Sequence, residues 1–178
     1  IAATLAAQQG LNLADATRLF AQLNVAMADA AIAAWDAKYA YNFWRPVTAI
    51  AEGGGNPGLA SDPAWRPLLT TPPFPEYVSA HSGQAAASLA TLEALVGTNV
   101  PFVDHAHDAD GFAPRSFDHI FAAAEEAGIS RLYAGIHFRS GNLEGRALGE
   151  CVAAKVDALQ WRRERAVGSS TCARSTAQ

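Results

Sequence analysis

The sequence predicts an all-α fold, a helical bundle, on three observations. Apolar positions recur at helical spacing, as at Leu13, Leu19, Leu23, Ala26, Ala30 and Ala33. No valine- or isoleucine-rich alternating run calls for a sheet. Glycine and proline clusters then punctuate the chain between the periodic stretches. The first long helix should run from about Asn12 towards Tyr39. A bend follows around Asn42 to Trp44, because Pro46 cannot sit inside a helix and restricts Arg45 before it. Pro46 suits the first position of a short helix through Val47 to Ala51, which the run Gly53-Gly54-Gly55-Asn56-Pro57 ends. Prolines at 57, 63, 67, 72, 73 and 75 make residues 53–78 an ordered loop with one short helix near Trp65. Long loops inside a compact domain are usually functional. Ser79 reads as the N-cap of a helix that reaches Leu95 and stops at Gly97. Another helix begins after Ser116 and ends by Gly128, and a last long one spans roughly Asn142 to Arg165. One domain is expected over residues 1–167, with a flexible, Ser/Thr/Ala-rich tail over residues 168–178.

Half of the 178 residues are hydrophobic, which suits one domain with a sizeable core. A formal net charge of −4 lacks the global basic field of a nucleic-acid binder. No apolar run approaches the ~20 residues that cross a bilayer, since Asp29 and Asp36 interrupt the alanine-rich stretch near Met27. The visible chain is expected to be soluble, in keeping with a secreted or periplasmic setting. It starts at Ile1, so an upstream signal peptide, anchor or amino-terminal half is expected. Cys151 and Cys172 do not make a disulfide framework and are read as free thiols or a dispensable tail link.

Three blocks carry chemistry. In KYAYNFWRP, Lys38 and Arg45 are seven residues apart, about two helical turns, so both can reach one pocket. In EYVSAHSG, Ser79 at an N-cap leaves the Ala80 and His81 amides without helical partners at the positive end of a helix dipole, which makes an anion site. In SRLYAGIH, Arg131 and His137 are six apart, ~120° out of phase on an ideal helix, so their convergence needs a break that Gly135 can supply. Each block alone reads as solvated cations, an ordinary capped helix or a satisfied histidine. Together they describe a pocket with three cations matched to a tetrahedral oxyanion. Two histidines remain for separate jobs, one on the central atom and one moving a proton at the opposite oxygen.

These residues resemble the signature of the vanadium-dependent haloperoxidase and type 2 phosphatidic acid phosphatase superfamily: K-x6-R-P, then P-S-G-H, then S-R-x5-H. The likeness covers roughly Trp35 to Gly145, and its wording is more similar to soluble bacterial haloperoxidase-like members than to membrane lipid phosphatases. The resemblance implies the carboxy-terminal helical bundle of a longer protein, completed by a missing amino-terminal half or a homo-oligomer. It implies that Lys38, Arg45, Ser79, the Ala80 amide and Arg131 hold the equatorial oxygens of vanadate, with His137 as axial ligand and His81 as acid–base group. Hydrogen peroxide and halide would be the substrates, the product a hypohalous-acid equivalent, and a small organic molecule its acceptor. With phosphate in the same site, the alternative is a soluble phosphomonoesterase working through a phosphohistidine. Trp35 and Phe74 fall on the halide side of such a site, or are plain core packing. Phenylalanine at position 74 matches chloroperoxidase-type members.

Three departures stand out. Val78 replaces the motif proline, and Ala80 replaces glycine, which strains the turn if that position needs positive φ. Gly141 stands where phosphatase members carry an aspartate that orients the histidine; Asn142 or a backbone carbonyl is the expected substitute, and the loss weakens the phosphatase reading more than the peroxidase one. The cluster VDHAHDADG (Asp104, His105, His107, Asp108, Asp110) fails the EF-hand pattern and reads as a solvated loop.

Overall fold

The computed structural model describes residues 1–55, 57–58, 60–159 and 161. Helix α1 (Ala2–Gln8), which the sequence reading did not separate, ends before Gly10 and packs Leu5 into the core. Helix α2 (Leu13–Tyr41) starts where expected: Asn12 caps it by accepting from the Asp15 amide, and Asn42 ends it in the left-handed region. Pro46 opens α3 (Pro46–Ala51), and Ser79 caps α4 (Ala80–Val96), which stops at Gly97. Helix α5 (Ala122–Tyr133) begins later than predicted and runs through Gly128 instead of ending there. Helix α6 (Arg139–Asp157) starts three residues earlier than predicted. The expected end of the last helix near Arg165, Cys172 and the tail 168–178 lie outside the described residues. Cys151 is a free, exposed thiol.

Two expectations are corrected. No helix forms at Trp65; a turn forms instead, its Ala64 and Trp65 amides bonded to the Asp62 carboxylate. The fold is helical but holds one small antiparallel hairpin, β1 (Phe102–Asp104) with β2 (Arg115–Phe117). Three residues a strand is too short to show alternation. Besides the ladder, the hairpin is anchored by the stacking of Phe102 on Phe117, with ring centroids 5.0 Å apart, and by the burial of Phe102 in the apolar core. Its tip carries the polar cluster, where His105 pairs with Asp108 and His107 with Asp110. Among the described residues no group of metal-ligating side chains could hold a cation.

Packing follows from residue size. The buried stripe of α2 is Leu19, Gln22, Ala26, Ala30, Ala34 and Lys38, three to four residues apart. Its alanines let α4 and α6 approach closely: Ala26, Ala30, Ala87 and Val156 form one cluster, and Ala34, Val78 and Ala80 another. A larger apolar core lies at the other end, around Leu5, Leu19, Leu89, Leu92, Phe102 and Ile120. Glycines set the α4–α6 contact. A Cβ at Gly149 would come within 2.8 Å of Ala86 Cβ and the Ala87 amide, and one at Gly145 would strike the Ser79 backbone. The last member of the α2 stripe is charged, and it points into the site. Another part of α2 leaves Ile32, Trp35 and Tyr39 exposed. No helix among the described residues is long and apolar enough to cross a membrane.

A candidate oxyanion-binding site

Helical periodicity carries Lys38 inward from α2, and its side chain is fully buried. All three donors of its ammonium are engaged by main-chain carbonyls, of Pro75 (2.9 Å), Glu76 (2.9 Å) and Val78 (2.6 Å). Lys38 therefore holds the segment ahead of α4 in place and adds its charge from behind that segment. Burial, then the neighbouring Arg45, pulls its pKa down to about 8, against the opposing charge of Glu76.

Arg45, N-cap of α3, is held at two edges. Its Nε donates to Phe74 O at 3.0 Å and its Nη1 to Ile136 O at 2.8 Å, while Nη2 is buried with no partner among the described residues. Arg131, in the last turn of α5, likewise has a buried and unpartnered Nε. The break needed between Arg131 and His137 occurs where the sequence suggested. Gly135 takes φ +73°, and a Cβ there would press on Trp65 and on Pro67, at 3.1 and 3.2 Å. Burial lowers both arginine pKa values, Glu76 opposing this and Arg131 adding to it at Arg45.

Ser79 is fully buried at the head of α4. Its Oγ accepts from the Ser82 amide at 3.4 Å and lies 3.1 Å from Ser82 Oγ. Ala80 is helical, and among the described residues the only positive φ outside glycine is at Asn42, so the methyl group is accommodated without strain. Val78 packs with Ala34 and Ala80. His81, in the first turn, opens to solvent on one side. Its pKa is lowered by desolvation, then by the charges of Arg131, His137 and Lys38. His137 is buried, and burial outweighs its bond to Glu76 to lower its pKa too. Both imidazoles are neutral near pH 7.

The residue that sequence reasoning missed is Glu76. Its Oε1 accepts from His137 Nδ1 at 2.7 Å and from the Phe138 amide at 3.0 Å, at the start of α6. Asn142, named as a substitute orienting group, goes elsewhere: its Nδ2 donates to Gly128 O, and its Oδ1 faces Ser82 Oγ. His137 therefore has a carboxylate partner despite Gly141, and the argument that Gly141 set against phosphoryl transfer falls. With Nδ1 donating, Nε2 is the acceptor, 3.1 Å from Arg45 Nη1. Trp35 and Phe74 wall the cations, their ring centroids 5.2 Å apart. Lys38 Nζ lies 5.3 Å from the Phe74 centroid and Arg45 Cζ 5.1 Å.

The arrangement combines convergent cations, two of them with unspent buried donors, a helix N-terminus and an oriented neutral imidazole. It is suited to an oxyanion and not to a bare cation. Residues 18–163 match the model of the VCPO second helical-bundle domain. The vanadium chloroperoxidase of Curvularia inaequalis is 28% identical over 179 residues, covering 75% of this chain and 29% of that protein. A solved structure described as the first bacterial vanadium-dependent iodoperoxidase superimposes with a TM-score of 0.80 at 37% identity, over 88% of this chain and 36% of that one. The holo form of a bacterial vanadium-dependent chloroperoxidase gives 0.55 at 20% identity, over 81% and 34% of the two chains, a likeness of fold alone. The chain thus spans about a third of the length of these relatives.

Proposed function

The chain belongs to the family of the vanadium chloroperoxidase second helical-bundle domain, and from that membership we propose that it holds the vanadate centre of a haloperoxidase, which oxidises halide with hydrogen peroxide to a hypohalous-acid equivalent. One observation carries this reading: two buried guanidinium nitrogens, Arg45 Nη2 and Arg131 Nε, have no acceptor among the described residues. An oxyanion supplies the acceptors they lack.

In this reading Arg45, Arg131, the Ser79 hydroxyl and the Ala80 amide would hold the oxygens of vanadate, and Lys38 would add charge. His137 offers Nε2 as ligand atom, because Nδ1 is committed to Glu76. Bound vanadate supplies a Lewis-acidic centre that activates peroxide towards halide. His81, neutral because its pKa is lowered, would accept a proton from incoming peroxide. Trp35 and Phe74 exclude water on the side where halide arrives. A further half of the protein, or a second copy, would cover the apolar face of α2 at Ile32 and Tyr39.

The test is to supply vanadate, peroxide and bromide and follow halogenation of a phenol; none between about pH 5 and 8 removes the proposal. The bond between Glu76 and His137 favours a second reading, phosphomonoester hydrolysis. There Nε2 attacks phosphorus, the protonated form of His81, populated on the acid side of neutrality, gives its proton to the leaving oxygen, and water then cleaves the phosphohistidine. Failure to trap that phosphohistidine by rapid quench counts against it.

A further inference from the structure

The geometry points to Glu76 as the positioning residue of His137, supplied from the loop before α4 to do what an aspartate at position 141 would do from α6. Its presence and the absence of a side chain at Gly141 are two halves of one arrangement. The inference rests on the reading of His137 as the residue that meets the oxyanion.

A Cβ built on Gly141 would lie 2.7 Å from Glu76 Oε2 and 2.8 Å from Glu76 Cδ, far inside contact distance. The Glu76 carboxylate thus fills the volume that a side chain at 141 would occupy. In the first turn of a helix, side chains lean towards the N-terminus, so a short acid at 141 would aim at the same imidazole. One volume and one histidine are reachable from two places in the chain, and only one carboxylate fits.

Placement follows. Glu76 is fully buried, and its main chain is fixed on both sides: its amide donates to Phe43 O at 2.9 Å and its carbonyl accepts from Lys38. One oxygen, Oε1, accepts from His137 Nδ1 and from the Phe138 amide, which ties the imidazole to the start of α6. The α6 dipole favours negative charge at that point. The consequence for His137 is a fixed tautomer, with the proton on Nδ1 and the lone pair of Nε2 directed to the side where Arg45 stands. Glu76 touches no reacting atom; it acts through the ring it orients.

The experiment compares Glu76→Ala, Glu76→Gln, Gly141→Asp and the double variant Glu76→Ala/Gly141→Asp. Two readouts do not depend on halogenation: affinity for inorganic phosphate, and the ¹H–¹⁵N spectrum of the His137 ring. In the parent, the ring should show the Nδ1–H tautomer with a strongly hydrogen-bonded, downfield proton. Glu76→Ala should lose that signature and bind phosphate roughly 10–100-fold more weakly. Glu76→Gln keeps the acceptor without the charge and should fall between, which serves if the alanine variant does not fold. Gly141→Asp alone should be strongly destabilised by the clash. The double variant should fold, recover the tautomer and regain most of the affinity. An unchanged ring spectrum and phosphate affinity in both Glu76 variants overturns the role, and a double variant no more stable than Gly141→Asp overturns the exchange. Absence of halogenation with these recoveries intact would instead remove the haloperoxidase reading and leave the positioning role standing.

Discussion

Gly145→Ala should damage the site more than the fold. Gly145 lies in α6, and a Cβ there would strike the carbonyl of Ser79 and sit 3.2 Å from its C and N atoms. Every atom met is backbone, so no side-chain rotation relieves the overlap. Ordinary contact needs about 3.5 Å, so the first turn of α4 and the facing turn of α6 must part by roughly 1 Å. Gly145 has helical φ, so alanine gains about 1 kcal/mol in propensity, whereas overpacking costs about 1–3 kcal/mol. The net loss of stability is about 0–2 kcal/mol. The same displacement moves Ser79 and the Ala80 amide relative to His137, and an error of about 1 Å in such a constellation costs on the order of 10²-fold in turnover. Urea unfolding and halogenation or phosphate hydrolysis, measured on one preparation, separate the two effects. A variant with parental turnover and a raised unfolding midpoint would refute the claim that Gly145 sets the site's geometry.

Arg45→Lys keeps the charge but gathers all its donors on one nitrogen, which cannot match the spread of Nε to Phe74 O, Nη1 to Ile136 O and the unpartnered Nη2, so oxyanion affinity should fall roughly 10–100-fold; phosphate titration by calorimetry reads this directly, and parental affinity speaks against Arg45 as a ligand. His81→Gln should leave phosphate affinity within about threefold while turnover drops on the order of 10²-fold or more, and equal losses in both would make His81 a binding group only. Stability should fall on acidification. The His137 pKa is lowered from its ordinary 6.5, so below 6.5 the unfolded chain binds a proton the fold does not; the stability is complete above 6.5 and is lost as pH falls through the folded value. His137→Gln should flatten this slope in urea midpoints taken between about pH 5 and 7, and an equally steep variant would assign the acid sensitivity elsewhere.

Most helix limits were legible because they depend on single residues. Asn12, Asn42, Pro46, Ser79 and Gly97 each do locally what their chemistry suggests, and Gly135 breaks the chain as the Arg131–His137 spacing required. Tertiary contact overrode local signals elsewhere. Gly128 did not end α5: it keeps helical φ, and its carbonyl accepts from Asn142 Nδ2 of α6 at 2.8 Å. The 102–117 hairpin has strands of three residues, anchored by one aromatic stack and the burial of Phe102. Within the site, the cations and both histidines could be named from spacing, but Glu76 could not. It sits in a loop without periodicity, and its partner is 61 residues away. Only its complement, the bare Gly141, left a trace in the sequence, and that trace by itself suggested a missing carboxylate.

Because three carbonyls between Pro75 and Val78 converge on the single Lys38 nitrogen, the chain should differ sharply in its tolerance of insertions on either side of Phe74. Upstream, residues 60–64 are exposed and can lengthen or shorten without reaching the site, whereas Trp65, Pro67 and Leu69 pack or bond against the turn between Arg131 and His137. From Phe74 to Ser79 one added residue would move the wall, the carboxylate and the helix cap out of register together. Natural diversification and laboratory redesign of the pocket mouth are therefore expected to proceed by changes of loop length before Trp65, and by side-chain replacement alone after Phe74.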